Sequence, residues 1–202
     1  MTRIREAGMD MHEFRKPGFD INPLFVNRWS PRAMSGEELT REELFSLFEA
    51  ARWAPSSNNN QPWRFIYAGR STPYWPVFLD LLNDANKVWA KDAAVLVVVV
   101  SKTTFDQNEK FARTHTYDAG AAWENLALQG SQKGLVVHGM QGFNYDQAKI
   151  ALKVPDLYQV EAMIAIGKPG KKENLPEHLQ AREFPSPRKP LADIAFEGIF
   201  KA

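Results

Sequence analysis

The chain has 202 residues, of which 44% are hydrophobic and 24% are charged, so its length and composition suit one globular domain with a substantial core. The 25 Lys and Arg residues against 24 Asp and Glu residues leave a net charge of +1, which excludes a long-range field that would recruit nucleic acid or an acidic membrane. The absence of cysteine from the sequence excludes disulfides, thiol nucleophiles and cysteine metal sites.

The N-terminal residues 1–21 are charged throughout and lack the apolar segment of a signal peptide. We expect them to form an N-terminal arm ahead of a single domain over residues 22–202. The longest apolar run, residues 93–100, is too short to span a bilayer. We therefore expect a cytoplasmic protein that binds neither membrane nor nucleic acid.

Helical and strand patterns are interspersed along the chain. Thr40 to Glu43 fits a capping box ahead of apolar residues at helical spacing, which predicts a helix that ends before Pro55. Further helices are predicted from Thr72-Pro73, over 117–132 and over 144–152, and strands over 64–68, 94–100, 135–138 and 160–167. Residues 168–187 are a proline- and charge-rich excursion. The mixture predicts an α+β fold with a central sheet flanked by helices.

Two polar clusters contain arginine. Arg28, Ser30 and Arg32 lie in a loop just before a helix, with Trp29 among them. Arginine forks match phosphate oxygens, and a hydroxyl and a helix N-terminus add donors. The alternative is a solvated loop with incidental arginines. Residues 187–191 form the second basic cluster, for which the alternative is a basic surface tail.

A third cluster, residues 55–63, places six consecutive hydrogen-bonding side chains between two prolines. Such a loop is able to bind a heterocycle whose edge carries several carbonyl and N–H groups, such as the pyrimidine ring of a flavin. The alternative is a capping turn, because Ser and Asn favour turns for local reasons.

In this order the three clusters resemble the nitroreductase family of FMN enzymes. Between them, residues 118–126 resemble the family's central dimer helix, and residues 139–143 resemble the segment that passes beside the flavin. The resemblance runs from about residue 25 to the end of the chain. It implies a nitroreductase-like fold, with a central, mainly antiparallel sheet flanked by helices, in an intertwined homodimer with two flavins at the interface.

The resemblance implies FMN as the cofactor and NAD(P)H as a transient reductant. It assigns the FMN phosphate and ribityl end to Arg28, Ser30, Arg32 and Arg188, with Trp29 in place of a more usual polar residue. It assigns the isoalloxazine ring to Ser56, Ser57, Asn59 and Gln61, some of them from the partner subunit. The backbone of Gln141 and Gly142 would lie near the flavin N5, and Gln141 stands where many relatives have Glu.

The implied function is hydride transfer from NAD(P)H to a nitroaromatic, a quinone or a similar small acceptor. No dinucleotide fingerprint is present in the sequence, so both reactants would use the same face of the flavin, in a ping-pong mechanism. The polar stretch 101–115 contains Phe105 and Phe111, which are substrate-site candidates because this part of the family often forms a lid.

No catalytic side chain is predicted, because the sequence shows no nucleophile–base pairing and the cofactor performs the redox step. No metal is predicted, since the four histidines lack metal-ligand spacing. Two alternatives stay open. One is a flavin-dependent dehalogenase or ring-oxidising relative, and the other is a non-catalytic flavin-binding dimer.

Overall fold

The computed structural model describes residues 11–201. Its helices are α1 (Met11–Phe14), α2 (Pro23–Asn27), α3 (Arg41–Arg52), α4 (Trp75–Leu81), α5 (Asp84–Ala90), α6 (His115–Gln132), α7 (Tyr145–Ala151) and α8 (Glu177–Gln180). Its strands are β1 (Trp63–Gly69), β2 (Val95–Lys102), β3 (Val136–Met140) and β4 (Tyr158–Gly167). Short 3₁₀ turns lie at Ser57–Asn59, Lys172–Asn174 and Leu191–Asp193. Within the described residues, no helix has both the length and the apolar character needed to cross a bilayer.

The four strands form one antiparallel sheet in the order β1-β2-β4-β3. The central strand β2 pairs with β1 on one side and with β4 on the other. Strand β3 lies at the edge and pairs Met140 with Met163 of β4. The predicted α+β fold with an antiparallel sheet flanked by helices is confirmed.

Strand β2 is buried on both faces, as its run of β-branched residues predicts. Leu96 and Val98 belong to a core cluster that includes apolar residues of α4 and α5. Val97 and Val99 belong to a second cluster that includes residues of α3 and α6. Because successive strand residues point to opposite faces, a helical layer covers each side of the sheet.

A β-bulge interrupts the pairing of β2 with β4. Val99 pairs with Ala162, whereas Val100 pairs with Val160, so Glu161 is the extra residue. Side chains normally alternate between the faces of a strand, and a bulge breaks this alternation and re-aims a side chain. As a result Glu161 and Ala162 line the same cavity.

Helix α3 confirms the predicted capping box. The Thr40 hydroxyl accepts a hydrogen bond from the Glu43 backbone N–H at 3.1 Å, and the Thr40 N–H donates to the Glu43 carboxylate at 2.7 Å. The helix ends at Arg52, ahead of Pro55 as predicted.

The region between β1 and β2 differs from the prediction. Helix α4 begins at Trp75 rather than at Thr72, because Thr72 closes a turn by donating its hydroxyl to the Gly69 carbonyl at 2.8 Å. Helix α5 was not predicted. Asn83 caps it by accepting from the Asn86 N–H at 3.0 Å, and its short length leaves too few apolar positions for a helical period to be evident.

The described part of the N-terminal arm, residues 11–21, begins with α1 and docks on the domain. Met11 and Arg15 are buried, and the ring of Phe14 stacks on Phe184 with 6.4 Å between centroids. Residues 1–10 of the predicted arm lie outside the described residues, and the domain boundary at residue 22 stays a prediction.

Candidate functional site

A cavity of about 520 Å³, the main cavity, lies between α6, the sheet and the loop after α2. This volume falls within the roughly 300–1,000 Å³ of small-molecule sites. The cavity is lined by Arg28, Ser30, Val99, Thr116, Ala119, Gly120, Trp123, Glu124, Gly139, Met140, Gln141, Glu161, Ala162 and Ile164. The fold therefore brings together Arg28, Ser30 and Gln141, which the sequence analysis selected from two distant segments.

One wall of the main cavity is aromatic. A Cβ atom at Gly139 would lie only 3.1 Å from the Trp123 ring, so glycine at this position lets the indole lie directly on the backbone of β3. The resulting flat, apolar surface suits a planar ring.

The end of the cavity beside the α2 loop is cationic. The Arg28 guanidinium donates to the Ser30 hydroxyl at 3.2 Å and lies 3.6 Å from the Glu124 carboxylate. Burial lowers the pKa of Arg15 to about 10, and the nearby charges of Arg188 and Arg28 add to this effect. Arg15 also donates to the Arg28 carbonyl, and Arg15 and Arg188 both donate to the Ser186 carbonyl, so three arginines are gathered in this region, an arrangement that favours an anionic ligand.

Near the N-terminus of α6, the cavity carries an acid. The buried Ser101 hydroxyl donates to Glu161 Oε1 and lies 2.7 Å from His115 Nδ1. Because the Ser101 hydrogen goes to the carboxylate, His115 Nδ1 must be the donor to Ser101 Oγ. The chain of hydrogen bonds runs from His115 through Ser101 to Glu161, which lines the cavity.

A second, more polar groove of about 310 Å³ lies at residues 55–63, the predicted flavin loop. It is lined by Asn58, Asn59, Asn60, Gln61, Arg64, Phe105, Asp106 and Gln107. It shares no lining residue with the main cavity, so one chain presents the two sets of predicted flavin-contacting residues in separate places.

The flavin loop is strained. Asn58, Asn59 and Gln61 have φ values of 52°, 53° and 47°, a region that non-glycine residues rarely occupy. The Ser56 hydroxyl accepts from the Gln61 N–H at 3.0 Å, and this is the kind of local turn contact that the alternative interpretation predicts. The side chains of Asn58, Asn59 and Gln61 are nevertheless exposed at the groove.

The loop is also fixed to its neighbours. The Ser57 N–H donates to the buried Asp118 carboxylate at 3.1 Å, which attaches the loop to α6. The Asn60 amide donates to the Thr104 carbonyl at 3.2 Å and accepts from the Asp106 N–H at 3.0 Å. These contacts hold the strained backbone in place.

Comparison with known proteins identifies the family. The model of the nitroreductase family matches residues 26–85 and 70–168. The chain belongs to the nitroreductase family.

Solved structures extend this likeness. A crystal structure described as an oxidoreductase containing FMN is 46% identical, with a TM-score of 0.89 over 93% of this chain and 96% of that one. A candidate nitroreductase from Desulfovibrio desulfuricans, solved in complex with FMN, is 27% identical, with a TM-score of 0.69 over 90% of this chain and all of that one (100%).

Among curated relatives, a Rhodopseudomonas palustris protein is named as a candidate NADH dehydrogenase/NAD(P)H nitroreductase. It is 25% identical over 147 residues, which are 64% of this chain and 74% of that protein.

Several residues of the nitroreductase motifs do not line the main cavity. The Arg32 guanidinium lies 3.5 Å from the buried Glu183, whose other oxygen accepts from the Arg32 and Ala33 N–H groups at 2.6 and 2.9 Å. Arg32 is thereby held away from the cavity by an internal carboxylate. Trp29 is half-buried outside the cavity lining, and Arg188 is exposed and donates to its neighbours in the tail.

The remaining predicted residues divide between the two sites and the surface. Gly142 faces α5, where its carbonyl accepts from the Asn83 N–H at 3.1 Å. Ser56 and Ser57 support the flavin loop without lining either site. Phe105 lines the second groove, whereas Phe111 is exposed and meets the His115 ring edge-on.

Sequence reasoning missed Ser101, His115 and Glu161. Their convergence depends on the bulge in β4 and on where α6 begins, neither of which is written in a local pattern. The sequence contains one sign of this site, because Glu161 is a single carboxylate within the largely apolar strand from Tyr158 to Gly167.

A histidine fixes residues 28–32, the arginine loop, to the sheet. His138 Nδ1 lies 2.9 Å from the Pro31 carbonyl, to which it donates, and its ring packs 4.6 Å from Trp89. Burial lowers the pKa of His138 to about 4. The imidazole is therefore neutral at neutral pH and connects β3 to the loop that carries Arg28.

The depressed pKa of His138 predicts an acid-sensitive fold. The unfolded chain binds a proton at this histidine below about pH 6.5, whereas the folded chain does so only near pH 4. As the pH is lowered from about 6.5 to about 4, the free energy of unfolding should therefore fall by roughly 3 kcal/mol, at about 1.4 kcal/mol per pKa unit. The measurement is urea unfolding from pH 4 to 7 of the wild type and of His138→Gln, which keeps a donor but does not titrate. Parallel pH profiles for the two proteins would contradict the assignment.

Proposed function

We propose that this chain is an FMN-dependent oxidoreductase that transfers a hydride from NAD(P)H to a small acceptor such as a nitroaromatic or a quinone. The observation that carries the proposal is the main cavity, which combines a cationic end with a flat aromatic wall. The FMN-containing relatives support the cofactor, and the name of the Rhodopseudomonas palustris relative supports the reductant.

The residues of the cavity fit FMN. Arg28 and Ser30 would hold the phosphate end, and Arg15 and Arg188 lie behind it, joined through the carbonyls of Arg28 and Ser186. Trp123 and the backbone of Gln141 would face the ring. Bound FMN supplies the hydride chemistry, while the protein supplies position and electrostatics.

The acceptor needs a proton as well as a hydride, because NAD(P)H, a proton and the acceptor together yield NAD(P)⁺ and the reduced acceptor. Glu161 is the acid in the cavity that is linked to a buried hydrogen-bond chain. A protonated His115 would pass a proton through the Ser101 hydroxyl to the Glu161 carboxylate, and the carboxyl group formed in this way would donate it to the acceptor. In this proposal Glu161 is the catalytic acid.

The two reactants would use one site in turn. The sequence carries no dinucleotide-binding fingerprint, so the nicotinamide would bind over the flavin and leave before the acceptor enters. This order gives ping-pong kinetics, as the sequence analysis expects.

The complete site would require two copies of the chain. Arg28 and Gln141 line the main cavity, whereas Asn59 and Gln61 line the separate second groove. If both sets contact one flavin, the second set must come from a partner. Exposed apolar side chains in the C-terminal tail, such as Phe200 at 81% exposure, suit such an interface. We therefore propose a homodimer.

Removal of the Arg28 guanidinium should weaken FMN binding selectively. Loss of one partner of a buried, hydrogen-bonded charge pair costs roughly 2–5 kcal/mol, so Arg28→Ala should raise the dissociation constant of FMN by about thirtyfold or more. Riboflavin, which lacks the phosphate, should be little affected. Fluorescence titration of the cofactor-free protein measures both constants. Arg52→Ala is the control, because Arg52 is exposed on α3 and pairs with Glu49. Recovery of FAD from the purified protein would contradict the proposal.

The redox reaction and the role of Glu161 can be tested together. Without oxygen, NADH or NADPH should bleach the yellow FMN-loaded protein, and a quinone should restore the colour. Glu161→Gln removes the acid while preserving shape, so it should slow re-oxidation by the quinone. Ferricyanide accepts electrons alone, so its rate of re-oxidation should be unchanged.

Stopped-flow absorbance gives each rate separately. A wild type that stays yellow with both nucleotides would overturn the proposed function. Equal slowing of Glu161→Gln with quinone and ferricyanide would refute only the proton-donor role.

A bulky residue on the exposed face of α6 should disrupt the dimer. Gly120 is exposed, and a Cβ there meets no atom within 4 Å in its own chain, so Gly120→Arg is compatible with the protomer fold. Because Gly120 also lines the main cavity, the oligomeric states are compared on the cofactor-free proteins. Interfaces of this kind usually bury more than about 2,000 Å², and an arginine within one would clash. Light scattering should give a dimer for the wild type and for Gln132→Arg, an exposed position at the other end of the helix, and a weakened dimer for Gly120→Arg. A monomeric wild type with bound FMN would rule out the shared site.

A further inference from the structure

The N-terminal arm reaches the cationic end of the main cavity through one side chain. Arg15 is buried, and its Nη1 donates to the carbonyls of Val26 at 2.8 Å and Arg28 at 2.7 Å. Its Nε donates to the carbonyl of Ser186 at 3.0 Å. One guanidinium therefore joins the arm, the end of α2 and the C-terminal segment that carries Arg188.

These contacts use the particular geometry of arginine. A guanidinium presents several N–H donors in a rigid plane, so it is able to reach carbonyls on two separate segments at once. A lysine keeps the charge but offers a single nitrogen on a flexible stem. The backbone positions at Arg28 and Ser186 therefore depend on the shape of Arg15, not on its charge alone.

Within the described part of the chain, the charge of Arg15 has no ion-pair partner. Among residues 11–201, no carboxylate lies within 4 Å of the guanidinium groups of Arg15 or Arg188, and Arg28 has one such partner, Glu124 at 3.6 Å. Burial of the Arg15 cation beside Arg28 and Arg188 is unfavourable on its own, and a bound anion would offset this cost.

A second contact links the same segments. The Glu183 carboxylate accepts from the Arg32 and Ala33 N–H groups, so the C-terminal segment holds the arginine loop at two places, Glu183 directly and Ser186 through Arg15. Glu183 fixes the far end of the loop, whereas Arg15 fixes the end that carries Arg28.

We infer that Arg15 is a positioning residue for the cofactor phosphate, and that it fixes the backbone at Arg28 and Ser186 so that the Arg28 side chain faces that phosphate and the segment that carries Arg188 is held beside it. The inference rests on the proposed function, because it takes the anion to be the FMN phosphate. It gives the arm a role in cofactor binding that none of the nitroreductase motifs includes.

The test compares Arg15→Lys and Arg15→Gln with Lys16→Gln, which removes an exposed charge from the neighbouring position. Dissociation constants for FMN and for riboflavin are measured by fluorescence on the cofactor-free proteins. Both Arg15 variants should weaken FMN by roughly tenfold or more, as expected for loss of hydrogen bonds made by a charged group, with riboflavin little changed. Hydrogen exchange should become faster at residues 26–30. Lys16→Gln should resemble the wild type in all three measurements.

Each other result overturns the inference in a recognisable way. Full FMN affinity in Arg15→Lys would show that charge matters and the tether does not. Equal weakening of FMN and riboflavin would indicate a general effect on the fold, and unchanged constants would show that the arm only packs. If Arg15→Gln does not fold, Arg15→Lys decides alone. A wild type with no preference for FMN over riboflavin would overturn the phosphate site itself, which separates failure of the proposed function from failure of the role of Arg15.

Discussion

Burial of β2 on both faces is the constraint on which the other features depend. A strand with apolar side chains on both faces requires a helical layer on each side of the sheet. Helix α6 supplies much of one layer and packs Ala122 and Leu126 into the core. The main cavity lies beside this helix, where its small residues Ala119 and Gly120 form part of the lining. The position of the site is therefore a consequence of how the central strand is covered.

The bulge in β4 places a carboxylate of this buried sheet in the main cavity. A regular strand would direct Glu161 and Ala162 to opposite faces, and the carboxylate would lie either in the core or away from the cavity. The extra residue lets Glu161 reach the cavity while Ser101, which has no exposed surface, remains in β2 behind it. The hydroxyl of Ser101 then has two polar partners, so its burial carries no unsatisfied group.

Local patterns in the sequence predict a large part of the fold. The capping box at Thr40, the β-branched run of β2 and the long helix α6 follow from spacing and side-chain type, and each lies close to its predicted position. Helix α5 escapes prediction because its Asn83 cap and short apolar pattern also suit a loop. Pattern alone assigns structure where a segment is long and strongly periodic, and it fails where one side chain decides the outcome.

The site is harder to predict because its parts depend on long-range partners. Arg28 and Arg32 are equivalent in the sequence, yet only Arg28 lines the cavity, because Glu183, distant in the chain, pairs with Arg32. Likewise, Gln141 lines the cavity while the adjacent Gly142 packs on α5. A motif selects the residue types, and the tertiary contacts decide which of them face the ligand.

The charge balance of the whole molecule also makes the site depend on tertiary contacts. The net charge of +1 provides no strong field, so any affinity for a phosphate must come from local placement of cations. That placement requires cations to be held close together against their mutual repulsion, which separate surface loops would not do unaided. Among the described residues, Arg15 donates to backbone carbonyls and pairs with no carboxylate, so it joins the segments while its positive charge stays available to a ligand. An ion pair at the same place would have fixed the loops equally well, but it would have neutralised the charge that an anionic ligand needs.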